Sequence, residues 1–394
     1  RGLGDVYKRQ INPRAGRELT FRYDRYFNFF ISGFKENTSI LIETFDHYFY
    51  NQFTLEWNEY LPIGPGRSAL GLRAFGGFID NEVIGTPGFI SPYSHGGGFY
   101  CSDRTELVAC SDFRQDLMEE FGKRYEVQAG SQYVDYKEML ETENLDIVSV
   151  ATHVEHHAEI VIALAEAGVK AIYCEKGLAS SLDEANAMAE ACNRNKTILN
   201  MGTQRRYDPG FWKMKEIIDS GEIGRVQNLI MTYSAGLFDH GCHVVDLLMY
   251  LIDDPHAVWV QGYAPQSESI RDGTVYSDDP GGDGVVLFDN DVMVYLIHSN
   301  RYEYQVNCEK GTLGTYNDTK GFFMRKGEPR EFDEIAFPEY APMSSTVNLI
   351  NDLARALDSG EPPLGGIESA RHGVEVMAAI LESHLQFIQG KLLP

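Results

Sequence analysis

Residues 145–176 read LDIVSVATHVEHHAEIVIALAEAGVKAIYCEK, and this stretch decides the fold. Leu145 to Thr152 is a near-continuous apolar run, the pattern of a parallel strand covered on both faces. His157 to Ala167 then carries Ile160, Val161 and Leu164 at helical spacing, and Gly168 supplies a stop. Val169 to Cys174 is a second apolar run, and it ends in Glu175-Lys176-Gly177. Strand, helix and strand in this order predict a βαβ unit with a right-handed crossover.

The same alternation extends in both directions. On the N-terminal side, Glu106 to Asp112 reads as a strand ending in a carboxylate, and Asp135-Tyr136-Lys137-Glu138 offers a capping box. On the C-terminal side, Ser181-Leu182-Asp183-Glu184 offers another. Ala185, Met188, Ala189 and Cys192 then form one helical stripe, and Thr197 to Gly202 is a further strand. Strands alternating with helices predict an α/β chain with a doubly wound parallel sheet.

After Tyr207-Asp208-Pro209 the pattern changes. A helix over Phe211–Asp219 is stopped by Ser220-Gly221. Val226–Ser234, Ala257–Ala264, Gly284–Phe288, Val292–Ser299 and Tyr304–Cys308 follow as strands on turns such as Asp289-Asn290. Helices over Thr346–Leu357 and Ile367–Gln386 close the chain. This half is expected to carry an antiparallel or mixed sheet.

The N-terminus reads differently. All 11 methionines lie from Met118 onward, and residues 21–60 are crowded with Phe and Tyr without a clean period. Arg1 to Gln10 looks like a translated sequencing-adapter remnant, so residues 1–59 are expected to be an extension, non-native in part. An extension that caps or pairs with another element is the alternative.

Composition narrows the function classes. A length of 394 residues suggests two domains, and the 43% hydrophobic and 12% aromatic content is that of a globular protein. The net charge of −24 argues against nucleic acid or anionic membrane as a partner. No apolar run is long enough for a membrane span, and no signal peptide is evident. The six cysteines are scattered without a Cys-x-x-Cys pair, and they read as reduced thiols of a cytoplasmic protein.

A dinucleotide loop is expected at Gly64-Pro65-Gly66-Arg67-Ser68-Ala69, followed by a helix over Leu70–Phe75. Small residues there let backbone N–H groups approach a pyrophosphate. The ribose carboxylate should come roughly 20 residues later. Asp112 lies more than twice as far on, which makes Asn81 to Ser102 an inserted Gly/Pro-rich loop. An Asp at a strand end favours NAD by repelling a 2′-phosphate, whereas Arg114 would also admit NADP. An ordinary turn at Gly64 and Gly66 is the competing reading.

Asp239, His243, Asp246 and Tyr250 fall on one helical stripe beside the apolar Val244, Leu247, Leu248 and Leu251. Such a row either lines a cleft or is simply solvated. An imidazole titrating near neutrality suits removal of a hydroxyl proton as hydride leaves for a nicotinamide. Asp239 would orient His243 or hold a substrate hydroxyl. Lys176 sits at the carboxyl edge of the expected sheet, where its ammonium would stabilise an alkoxide. A surface lysine is the plain alternative. His153, His156 and His157 lack the partners of a zinc motif, so no metal is expected, and His157 is read as opening the following helix.

Together these pieces resemble the Gfo/Idh/MocA oxidoreductases, the family of glucose–fructose oxidoreductase and inositol dehydrogenase. The resemblance rests on Ile63–Arg67, Leu107–Asp112, Ala151-Thr152 with His157-Ala158-Glu159, Cys174-Glu175-Lys176 and Gly202–Pro209. It continues through Gly221–Val226, Asp239–Asp246 and Glu309–Leu313. It implies an N-terminal dinucleotide-binding Rossmann domain over 60–203 and a C-terminal α/β domain with a large open, mixed or antiparallel sheet over 204–394 for substrate and oligomerisation. It also implies that Lys176 is the catalytic lysine and that Asp239 and His243 form the Asp-x-x-x-His pair. It further implies that Thr152, His157 and Glu175 adjoin the cofactor, that Arg206 and Tyr207 border the substrate cleft, and that the protein is a homo-oligomer. Gly177 stands where the family usually has proline, which removes that residue's preference for a cis bond. The segment between Val226 and Asp239 is short beside that of relatives. The activity implied is NAD(P)-dependent oxidation of a secondary alcohol of a sugar, cyclitol or derivative. An NAD-assisted glycoside-cleaving enzyme and a non-catalytic sugar or nucleotide sensor are the alternatives.

Overall fold

The computed structural model describes residues 16–26, 50–62, 69–80, 94–264, 270–271, 274–275, 279–328, 331–340 and 344–388. The chain divides into two compact units, Arg1–Ser91 and Pro92–Pro394.

In the first unit, strands β1 (Gly16–Tyr26), β2 (Tyr50–Pro62) and β3 (Ala69–Asp80) form an antiparallel sheet in the order β1-β2-β3. The helix expected over Leu70–Phe75 is therefore a strand, paired with β2 from Pro62↔Ala69 to Asn51↔Asp80. Gly71, Gly76 and Gly77 weaken a helix there, and the long partner strand satisfies the backbone instead. Gly64, Gly66, Arg67 and Ser68 lie outside the described residues.

The second unit opens with helix α1 (His95–Cys101), capped by the Ser94 side chain, which accepts from Gly97 N. This corrects the reading of Asn81–Ser102 as an inserted loop. Its last third is a helix packed on the fold, with Gly97, Gly98 and Phe99 buried. Parallel strands β4 (Cys110–Ser111) and β5 (Gln132–Tyr133) pair with each other around helices α2 (Gln115–Arg124) and α3 (Tyr136–Thr142). The predicted βαβ unit follows as β6 (Ile147–Val150), α4 (His157–Glu166) and β7 (Ala171–Cys174). It continues through α5 (Leu182–Asn195) to β8 (Ile198–Met201), giving a parallel sheet in the order β6-β7-β8. Every residue of β7 is buried, which is why the sequence there has no polar alternation. Both expected caps form: Asp135 accepts from Lys137 N, and Ser181 accepts from Glu184 N.

Helix α6 (Pro209–Asp219), strand β9 (Val226–Tyr233) and helix α7 (Gly241–Leu251) begin the other half. Strands β10 (Ala257–Tyr263), β11 (Ile270–Arg271), β12 (Thr274–Val275), β13 (Asp283–Phe288) and β14 (Met293–His298) follow. Then come β15 (Tyr304–Cys308), β16 (Gly311–Tyr316), β17 (Gly321–Glu328) and β18 (Glu331–Ile335). Eight of them make one sheet in the order β10-β13-β14-β9-β15-β16-β17-β18. Only the β14–β9 pair is parallel, so the sheet is mixed, as expected. Strands β16 to β18 were not foreseen, because glycines and charges interrupt their apolar pattern.

Helices α8 (Ser345–Ser359) and α9 (Ile367–Ile388) end the described chain. One continuous apolar core joins β6, β7, α5, α7, the inner face of the mixed sheet and α9. That shared core holds the carboxyl ends of the parallel strands next to the start of α7. No helix among the described residues is long and apolar enough to cross a membrane.

Candidate active site

The site grows from the carboxyl ends of the parallel β6-β7-β8 sheet, where chain direction alone gathers the loops after β6, β7 and β8. Glu175-Lys176-Gly177 leaves β7, and the Lys176–Gly177 peptide is cis although no proline follows. Opposite it, the loop 236–240 leads into α7. The Asp279 carboxylate fastens this loop, accepting from Phe238 N at 2.8 Å and Asp239 N at 2.6 Å. A Cβ at Gly236 would lie 2.0 Å from Asp279 Oδ2, so only glycine permits that clamp. The clamp carries Asp239 to Lys176, and the two form an ion pair. Lysine and aspartate 63 positions apart are thus brought together.

Helix α7 begins at Gly241, so Asp239 precedes it and His243 lies in its first turn. Val244, Val245, Leu247, Leu248 and Leu251 are fully buried and anchor the helix. His243 is partly exposed, but its Nδ1 is buried without a hydrogen-bond partner. Burial first, then the charges of Arg205, Lys176 and His240, push its pKa well below the usual 6.5. The imidazole is therefore neutral at pH 7 and able to accept a proton. For Lys176, burial is the largest influence and works against the charge, but the hydrogen bond to Asp239 together with the coulombic pull of Cys242, Asp239 and Glu175 outweighs it and raises the pKa above 10.5. Lys176 remains an ammonium. A neutral base and a fixed cation side by side suit removal of a hydroxyl proton with stabilisation of the resulting oxyanion.

Several site residues carried no signal that separated them in the sequence. His240 Nδ1 lies 2.7 Å from Tyr302 Oη, and His240 Nε2 lies 3.5 Å from Asp239 Oδ2. A polar row therefore runs Tyr302–His240–Asp239–Lys176. On the other side, His95 of α1 stacks on Tyr173 at 3.8 Å, with its Nε2 2.8 Å from Glu175 Oε2 and its Nδ1 2.5 Å from Ser149 Oγ. His95 was concealed in the stretch read as an insertion. The Ser94 cap preceding it was the one available hint.

The remaining expected residues divide by environment. Asp112 follows β4 and accepts from Arg114 N at 2.8 Å, while Thr152 is exposed after β6. Arg114 is turned to Asp116, with Nε–Oδ1 at 3.1 Å and Nη2–Oδ2 at 2.5 Å. His157 opens α4 as expected but is fully buried. Its ring bridges Gly177 O at 2.8 Å and Thr152 O at 3.1 Å, tying together the loops after β6 and β7.

Arg206 and Tyr207 are the clear correction. Both were expected to border the cleft, and both are fully buried. Arg206 bonds Asp246 through Nε at 3.0 Å and Asp254 through Nη1 at 2.8 Å and Nη2 at 2.9 Å. It also reaches Leu364 O, Asp246 O and Ser369 Oγ, each at 3.0 Å, so its five N–H groups are spoken for. Tyr207 is held between Asn200 and Asp352. Asp246, placed by helical spacing in the acid–base row, faces inward to Arg206 instead. Among the described residues, no group of three His, Cys, Asp or Glu side chains is arranged to hold a metal ion.

Residues 81–203 match the sequence profile of an oxidoreductase family described as having an NAD-binding Rossmann fold (GFO_IDH_MocA). Myo-inositol 2-dehydrogenase of Thermotoga maritima is 32% identical over 183 residues, covering 43% of this chain and 54% of that protein. Levoglucosan dehydrogenase of Pseudarthrobacter phenanthrenivorans is 28% identical over 239 residues, covering 52% and 61%. The chain thus spans between half and two thirds of the length of these curated relatives. Among solved structures, aldose–aldose oxidoreductase from Caulobacter crescentus superposes with a TM-score of 0.62 at 18% identity, covering 73% of this chain and 91% of that one. A levoglucosan dehydrogenase in complex with NADH and levoglucosan superposes at 0.63 and 19% identity, covering 75% and 93%. At these identities the superpositions establish the shared fold.

Proposed function

Because the chain belongs to the Gfo/Idh/MocA family of oxidoreductases, we propose that it is an NAD-dependent dehydrogenase oxidising a secondary alcohol of a sugar, cyclitol or related polyol. The observation that carries this reading is the meeting of a Lys176–Asp239 ion pair with a neutral His243 beside the carboxyl ends of the parallel strands. His243 would take the hydroxyl proton, and Lys176 would hold the oxygen as charge develops on it. Asp239 keeps Lys176 protonated and aimed.

The residues suit a dinucleotide. Thr152 and Glu175 stand at the ends of β6 and β7 in the parallel β6-β7-β8 sheet, where such cofactors lie, and Asp112 follows β4 of the parallel β4–β5 pair. NAD, when bound, would supply the hydride acceptor. Arg114 is occupied by Asp116 rather than left for a 2′-phosphate, which favours NAD over NADP. The family profile begins at residue 81, after the Gly64–Ser68 motif. Gly85 and Gly88, within the matched span, also stand much nearer the roughly 20-residue spacing to Asp112. We assign the pyrophosphate loop to them in place of Gly64, Gly66, Arg67 and Ser68.

The mixed sheet supports assembly into a homo-oligomer. Val258, Trp259, Tyr263, Tyr295 and Ile297 are exposed on its first strands, an apolar surface of the kind that subunits cover. The six free cysteines fit a reducing, cytoplasmic setting.

The test is a screen of sugars, cyclitols and their derivatives with NAD+ and NADP+. Net NADH formation that depends on His243 supports the reading. Release of an aglycone without net NADH would instead establish glycoside cleavage. Dinucleotide binding without any turnover would establish a sensor.

A further inference from the structure

Among the described residues, Arg205 is a cation next to the site without an ion-paired carboxylate. It follows β8 in the short 3₁₀ turn Gln204–Tyr207, directly before the buried Arg206. Its guanidinium lies 4.5 Å from the Tyr302 ring centroid and 5.7 Å from that of Tyr304. The rings hold the charged group in place by cation–π attraction without neutralising it. Its Nε is buried and has no hydrogen-bond partner, and no carboxylate among the described residues lies within ion-pairing distance of it. The residue as a whole is partly exposed.

Among the described residues, no other lysine or arginine has a buried side-chain nitrogen without a hydrogen-bond partner, in a chain that carries 58 acidic against 34 basic side chains. Lys176, Lys215, Arg206 and Arg225 all have carboxylate partners. A buried donor left unmade is costly unless a ligand completes it. Arg205 also occupies one end of the row Tyr302–His240–Asp239–Lys176, whose other end is the proposed oxyanion-holding lysine.

We propose that Arg205 receives a carboxylate of the substrate, so that the alcohol oxidised belongs to a hydroxy acid of the sugar-acid class. This rests on the dehydrogenase reading above and specifies its substrate. Charge counting selects a carboxylate over a phosphate. Asp239 already pairs with Lys176, so the cation there without an ion-paired carboxylate is the single charge of Arg205, which matches a monoanion. The planar guanidinium fork also matches two carboxylate oxygens. The substrate would span the row, with its acid group at Arg205 and its hydroxyl between Lys176 and His243.

The experiment compares matched pairs in the full-length protein with NAD+: D-glucuronate against D-glucose, and D-gluconate against D-glucitol, with D-glucose 6-phosphate as the phosphate arm. Wild type is expected to favour the carboxylates in kcat/KM by about 10–100-fold. That ratio should fall towards one in Arg205→Gln and be partly kept in Arg205→Lys. Equal thermal melts of the three proteins establish that the fold is intact, and if the glutamine variant does not fold, the lysine variant carries the comparison. An unchanged ratio in either folded variant, a wild-type preference for the neutral members, or a preference for the phosphate overturns the proposal. If none of these compounds is oxidised, and none in the wider screen of sugars and cyclitols, the dehydrogenase reading fails by itself. Calorimetric titration of D-gluconate into wild type and the variants then decides Arg205, and binding that ignores the substitution overturns its role.

Discussion

Arg205 and Arg206 are adjacent in sequence and opposite in physical situation. Arg206 is fully buried and meets two carboxylates, two carbonyls and a hydroxyl. Arg205 rests on aromatic rings with a buried donor unmade. The contrast extends to their surroundings. Around Arg206, Asp246 and Asp254 are consumed by the structure, whereas around Arg205 the neutral His243 and the Lys176–Asp239 pair remain partly exposed. Polar groups that saturate one another hold a fold together. Polar groups held rigidly but left incomplete are available to a ligand.

The contrast can be broken at either side. The largest effect is expected at Arg206. Arg206→Ala leaves Asp246 buried without its counter-charge and should cost about 3–5 kcal/mol of stability. Chemical denaturation measures this, and a loss below 1 kcal/mol would mean the cluster is not structural. On the open side, His243→Ala should lower turnover by about 10²–10⁴-fold while the melting curve and NADH binding stay near wild type. A normal rate in that variant removes the imidazole from the chemistry.

The pH dependence sharpens the same contrast. His243 has a pKa below 6.5 and Lys176 one above 10.5, so kcat/KM should be flat from about pH 7 to 10. It should decline only on the acid side, below 6.5, as the imidazole is protonated. For stability the sign is the same. The unfolded chain protonates this histidine near 6.5 while the native state resists, so stability falls as pH drops below that value. The slope is at most about 1.4 kcal/mol per pH unit, and His243→Asn should remove it. A smaller structural effect is expected at Gly98, where an added Cβ would lie 2.6 Å from Ile350 Cδ1 and Thr346 Cγ2. Gly98→Ala should destabilise by about 1–3 kcal/mol. An unaltered melt would show that α1 is not seated on α8.

Legibility followed the range of the interactions involved. The βαβ run was readable because burial on both faces leaves an unbroken apolar pattern, and the caps at Asp135 and Ser181 are local hydrogen bonds. Leu70–Phe75 misled because a Gly-x-Gly-x-x-Ala motif suggests a helix after it, whereas pairing with β2 makes the segment a strand. Arg206 misled for a related reason. A charged residue in a family-like motif suggests a cleft, and nothing local reveals that Asp246 and Asp254 close around it.

The strand–helix alternation from Ile147 to Met201, its parallel sheet, and Lys176, Asp239 and His243 as candidates follow from the sequence, because periodicity, caps and motif spacing are short-range properties. Which charged groups became saturated and which stayed available was decided by tertiary structure alone. That choice depends on contacts between residues such as Arg206 and Asp254, or Lys176 and Asp239, which lie 48 and 63 positions apart. Only the packed core brings them within a hydrogen bond of each other.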